Sequence, residues 1–125
     1  LGIPAERFVF GYLGRFGAEK NLKVLVRAFD RLDTSSAHLL MVGGQDDTLE
    51  ALSRHANTTF VGSTTKPEHY YQAMDAYVLP SHSESAPLAI LEAMGCGAIP
   101  LSTPVGNVPT YLDEKLGFLF SQLSG

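Results

Sequence analysis

At 125 residues the chain is long enough for one domain with its own core. Hydrophobic residues at 45% and charged residues at 18% exclude a disordered chain. A net charge of −4, with no cluster of Lys and Arg, excludes nucleic acid as a partner.

Leu1 to Glu6 contains Gly2 and Pro4 and reads as a linker, so the chain is expected to be a fragment of something longer. Phe8 to Leu13 is aromatic and β-branched, which predicts the first strand, and Gly14 to Asn21 is the loop after it. Leu22, Leu25, Val26, Phe29 and Leu32 recur at helical spacing and predict a helix from Asn21, its cap, to Leu32. The second strand is predicted over Ala37 to Val42, ending at Gly43-Gly44. A helix follows over Thr48 to Ala56 with Thr48 as cap, then a third strand over Thr58 to Val61 that ends at Gly62. Pro67 to Met74 is the third helix and Ala76 to Leu79 the fourth strand.

After Leu79 comes a polar turn, Pro80 to Ser85, and a helix over Ala86 to Met94 stopped by Gly95 and Gly97. Ser85 is the candidate cap, Pro87 sits in the first turn, and Leu88, Leu91 and Met94 mark a buried stripe. Ala98 to Ser102 is the fifth strand, Asn107 to Leu112 a short helix, and Gly117 to Phe120 a last short strand. The single cysteine, Cys96, is read as buried packing, and without an internal partner it points to a reducing compartment. No apolar run reaches the roughly 20 residues that span a bilayer.

Strands alternating with helices call for an α/β fold with a Rossmann-like parallel sheet covered on both faces. Ligands in such sheets bind beyond the carboxyl ends of the strands. The loops at 14–20, 43–44, 62–63, 80–85 and 103–107 all follow strands and should line one edge.

Along that edge, Arg15 and Lys20 offer two cations suited to a diphosphate, or else are solvated surface charge. Glu84 and Glu92 lie eight residues apart, roughly 12 Å along a helix, and bracket a helix N-terminus that favours an anion. Acid, anion site, acid suits a nucleotide diphosphate sugar; each acid taken alone is equally an exposed carboxylate. His82 shares the turn and either binds a ligand or caps it. A metal site from Asp75, His82 and Glu84 lacks ligand spacing. His38, at a strand edge, is unremarkable. Gly11, Gly14 and Gly17 do not form a dinucleotide fingerprint, and no P-loop or nucleophile elbow occurs.

The ordered set Gly14-Arg15, Glu19-Lys20-Asn21, Val42-Gly43-Gly44, Phe60-Val61-Gly62, Leu79-Pro80-Ser81, Glu84 to Glu92, Thr103-Pro104-Val105-Gly106 and Gly117-Phe118-Leu119 resembles one family across nearly the whole chain. It is similar to the donor-binding C-terminal domain of retaining glycosyltransferases with the GT-B fold, glycosyltransferase family 4, whose EX7E motif matches Glu84 and Glu92. The resemblance implies sugar transfer from a nucleotide-diphosphate sugar with retention at the anomeric carbon, without an essential metal or other cofactor. Arg15 and Lys20 would bind the diphosphate, Glu92 the ribose, Glu84 the transferred sugar, and backbone around Gly62 the base. The N–H groups of Leu88 and Ala89 would face the phosphates, with Gly14, His82 and Gly106 completing the donor site.

The resemblance further implies a glycan or glycolipid acceptor held by an absent N-terminal domain, with absent terminal helices crossing back to it. Polysaccharide or glycolipid synthesis in the cytoplasm is the usual setting, with peripheral contact at the inner membrane face left open. On its own the chain is expected to bind donor weakly and catalyse nothing. Ser85-Ala86-Pro87, Asn107 and Thr110 depart from the family's usual residues. Alternatives are a sugar-nucleotide epimerase or hydrolase of the same fold, or a non-catalytic nucleotide-binding regulatory domain.

Overall fold

The computed structural model describes residues 2–16, 22–31, 36–44, 47–52, 57–80, 88–102 and 118–119. Six strands, β1 (Phe8–Leu13), β2 (Ala37–Val42), β3 (Thr58–Val61), β4 (Ala76–Leu79), β5 (Ile99–Ser102) and β6 (Phe118–Leu119), form one sheet in the order β3-β2-β1-β4-β5-β6. Every neighbouring pair is parallel. Among the described residues four helices cross between them: α1 (Leu22–Asp30), α2 (Asp47–Leu52), α3 (Pro67–Gln72) and α4 (Leu88–Gly95). The chain moves outward from β1 to β3 and then returns to β4 on the other side of β1. Right-handed crossovers therefore put α1 and α2, which pack together, on one face, and α3 with α4 on the other.

Burial on both faces explains the strand sequences. All six residues of β2 and all four of β4 are buried, as a central parallel strand requires. His38 is the polar exception in β2, and contrary to its reading as unremarkable it is 5% exposed. An Arg7 guanidinium nitrogen lies 3.4 Å from His38 Nδ1, and His38 Nε2 lies 2.7 Å from Thr59 Oγ1. A guanidinium only donates, so Nδ1 accepts and the Nε2–H donates to Thr59. Pro100 is tolerated inside β5 because Ile99 donates to Asp75 on the β4 side, while β6 pairs only from Leu101 onward.

Strands β1 to β4 match their predicted bounds. The helices differ in detail. α1 ends at Asp30, and Arg31 already turns, donating from its N–H to Ala28. Thr48 lies inside α2 and so is not its cap. α3 ends at Gln72, with Ala73 as C-cap. Ala93, fully buried, carries the inner face of α4, whereas Leu91 is 44% exposed and so leaves the predicted stripe.

Gly95 is the last helical residue of α4, and Gly97 does the stopping. At φ +94° Gly97 N–H donates to Met94, and Ala98 N–H to Ala93, both at 3.0 Å. These two bonds make a Schellman closure, and Ala93 and Ala98 both belong to the buried core. Cys96 is partly buried and packs against the core rather than within it. The caps predicted at Asn21 and Ser85, the helix start at Ala86 with Pro87, and the helix over Asn107 to Leu112 lie outside the described residues.

Candidate functional site

The strand order reverses between β1 and β4, the two strands that share Phe10 with Ala76 and Gly11 with Tyr77. At that point the crossovers leave toward opposite sides and open a crevice beyond the carboxyl ends. Gly14 and Arg15 follow β1 directly, and α4 follows β4, so topology brings the β1 loop and the α4 segment to the same crevice.

The β1 and β2 loops lie backbone against backbone. Gly14 N–H donates to Val42 at 3.0 Å, and Gly43 N–H to Val61 and Gly62 at 3.1 and 3.2 Å. Gly43 has φ +121°, and a side chain there would collide with the Gly14 carbonyl oxygen. The Phe16 side chain lies over Gly44, whose missing Cβ would stand 2.9 Å from the ring. The loops after β1, β2 and β3 are thus tied into one continuous rim.

On the rim, Arg15 is exposed, and its carbonyl oxygen accepts a 2.7 Å hydrogen bond from the Tyr12 hydroxyl. At its far end, a cavity of about 220 Å³ is lined by Gly44, Glu50, Phe60, Val61 and Gly62. Gly62 is open, with no atom within 4 Å of where a Cβ would stand. Glu92 is exposed on α4, and Tyr71 is buried on α3. Burial holds the Tyr71 hydroxyl well above the usual tyrosine range, and the Glu92 carboxylate and the Cys96 sulfur nearby push it the same way.

Of the candidate residues, Gly14, Arg15 and Gly62 stand on this rim, with the backbone of Leu88 and Ala89 at the described start of α4 and Glu92 one turn further on. Lys20, His82, Glu84 and Gly106 lie outside the described residues. Asp75 stands at the opposite edge, where its Oδ2 accepts from Val9 N–H at 2.7 Å. It precedes β4, and the other two members of the trio weighed as a metal site, His82 and Glu84, lie outside the described residues. Among the described residues no group of three or more His, Cys, Asp or Glu could hold a metal ion, and no helix is long and apolar enough to cross a membrane.

Sequence reasoning missed Glu50 and Phe60 as cavity walls, and Tyr12 as a partner of Arg15. Phe60 is the penultimate residue of β3, a position that could have marked it; Tyr12 shows its role only through a folded contact.

The comparisons agree with this geometry. The family model described as glycosyl transferases group 1 matches residues 1–123. The sulfoquinovosyl transferase SQD2 of Arabidopsis thaliana is 32% identical over 126 residues, covering 96% of this chain and 24% of that protein. A D-inositol 3-phosphate glycosyltransferase of Thermobifida fusca is 32% identical over 129 residues, covering 88% of this chain and 30% of that protein. The chain thus spans under a third of the length of these two relatives. The solved sucrose-phosphate synthase of Thermosynechococcus elongatus superposes with a TM-score of 0.83 at 28% identity, over 97% of this chain and 34% of that one. The chain therefore belongs to the group 1 glycosyl transferases, and its parallel sheet is the C-terminal, Rossmann-like domain of their GT-B fold.

Proposed function

We propose that the chain supplies the nucleotide-sugar site of a retaining hexosyltransferase of glycosyltransferase family 4. The observation that carries this reading is the rim itself: Arg15 at the β1/β4 reversal, Glu92 on the helix after β4, and an open cavity beside Gly62. The names of the relatives, a sulfoquinovosyl transferase and an inositol 3-phosphate glycosyltransferase, add support for glycosyl transfer.

In this reading the base occupies the cavity at Gly62, Glu92 accepts hydrogen bonds from the ribose hydroxyls, and Arg15 and Lys20 pair with the diphosphate. The backbone N–H groups of Leu88 and Ala89 face the same anion. As the sugar–phosphate bond breaks, these groups stabilise the charge gathering on the departing diphosphate. Glu84 orients the transferred sugar and is given no role as nucleophile; His82 and Gly106 complete the donor contacts. The acceptor, a glycan or glycolipid, binds a separate N-terminal domain. This 125-residue chain alone therefore binds donor weakly and transfers nothing. Neither a metal nor another cofactor is required, and the full-length enzyme works in the cytoplasm.

Product analysis of the full-length protein with UDP-, GDP- and ADP-sugars tests the reading. Transfer to an added glycan or glycolipid with the anomeric configuration kept, read by proton NMR, is the expected result. Free sugar or a new sugar nucleotide formed without acceptor would instead identify a hydrolase or an epimerase on the same fold. Nucleotide binding with no turnover would identify a regulatory domain.

A further inference from the structure

Arg15 is an exposed side chain on a loop, and a loop cation recognises a diphosphate tightly only if its backbone is held beforehand. Two buried phenols supply that hold. The Tyr12 hydroxyl donates to the Arg15 carbonyl oxygen at 2.7 Å, and the Tyr77 hydroxyl to the Leu13 carbonyl oxygen at 2.9 Å. These two carbonyls flank Gly14, whose missing Cβ would stand 2.8 Å from the Tyr12 hydroxyl oxygen. Any side chain at Gly14 would push that hydroxyl away.

The hydroxyls are fixed because their rings are. Tyr12 and Tyr77 are each 1% exposed and stack with centroids 6.2 Å apart and planes at 19°. Phe16 tilts against Tyr12 at 6.1 Å, and Tyr71 meets Tyr77 edge-on at 5.8 Å. A continuous row of rings, Phe16, Tyr12, Tyr77 and Tyr71, therefore backs the Arg15 loop.

We propose that Tyr12 and Tyr77 are positioning residues, which clamp the backbone on both sides of Gly14 so that Arg15 meets a diphosphate in a fixed place. The proposal rests on the reading of Arg15 as a diphosphate ligand. A phenylalanine at either position keeps the ring and removes the hydroxyl that makes the tether.

The test is a double-mutant cycle in the full-length protein. UDP, GDP and ADP are each titrated, and the tightest of the three is the probe. Tyr12→Phe is expected to weaken binding about threefold to tenfold, the range of one lost hydrogen bond, and to raise the donor KM more than it lowers kcat. In an Arg15→Ala background the same change is expected to cost nothing further. Tyr77→Phe runs the same cycle and decides the matter if the first variant does not fold. Wild-type affinity in the tyrosine variants, or an equal loss with and without Arg15, would overturn the clamp while leaving the diphosphate site standing. Wild-type affinity in Arg15→Ala alone would instead remove the diphosphate reading, and the clamp with it.

Discussion

Gly43 and Gly14 meet backbone to backbone: a Cβ on Gly43 would enter the Gly14 carbonyl oxygen, and Gly43 itself holds φ +121°. The contact joins the loops after β1 and β2, so it underlies both the fold and the rim on which Arg15 stands. Gly43→Ala is expected to lower stability by about 2–4 kcal/mol, from backbone strain plus a clash with an atom that has no rotamer to escape into. Urea unfolding measures it, and a loss below about 0.5 kcal/mol would show that the loops separate cheaply.

Gly62 is the opposite case. It is exposed, with open space where a side chain would stand. Gly62→Ala should therefore leave stability within about 0.5 kcal/mol of wild type. Its methyl would enter the space assigned to the base, so nucleotide affinity should fall about tenfold, a loss of about 1.4 kcal/mol. Unchanged affinity would move the base away from this cavity.

Tyr71 gives a pH dependence. Its hydroxyl titrates higher in the folded protein than in the unfolded chain, chiefly through burial and also through Glu92 and Cys96. The folded state therefore keeps a proton that the unfolded state loses above about pH 10. The stabilisation is complete below that pH and is lost as pH rises toward the folded value, at up to about 1.4 kcal/mol per unit. Alkaline unfolding curves should be flatter for Tyr71→Phe than for wild type above pH 10. Parallel curves would contradict the assignment.

These residues also mark how far a sequence reading reaches. The four strands β1 to β4 are legible because each is a short run of apolar and β-branched residues bounded by glycine, proline or polar residues, and β2 and β4, buried throughout, leave little else to confuse with them. α4 is less legible. Leu88, Ala89, Ile90, Leu91, Ala93 and Met94 make it apolar almost all round, so periodicity cannot choose between Leu91 and Ala93 as the inner residue. Arg15 follows from its place at a strand end. Its tether does not, because the second clamp joins Tyr77 to Leu13 across 64 positions of chain, a pairing fixed by the β1/β4 register rather than by local spacing. His38 is hidden for a related reason: Arg7 reaches it only once β1 and β2 pair, and Thr59 only once β2 and β3 do.

Calorimetric titration of the full-length protein with UDP, GDP and ADP, repeated on Arg15→Ala and Glu92→Ala, tests the donor site most directly. Binding of one nucleotide, weakened by about 1–3 kcal/mol in each variant as expected for a lost charge-assisted hydrogen bond, is the predicted result. Failure of all three nucleotides to bind at millimolar concentration, or equal binding by both variants, would contradict it.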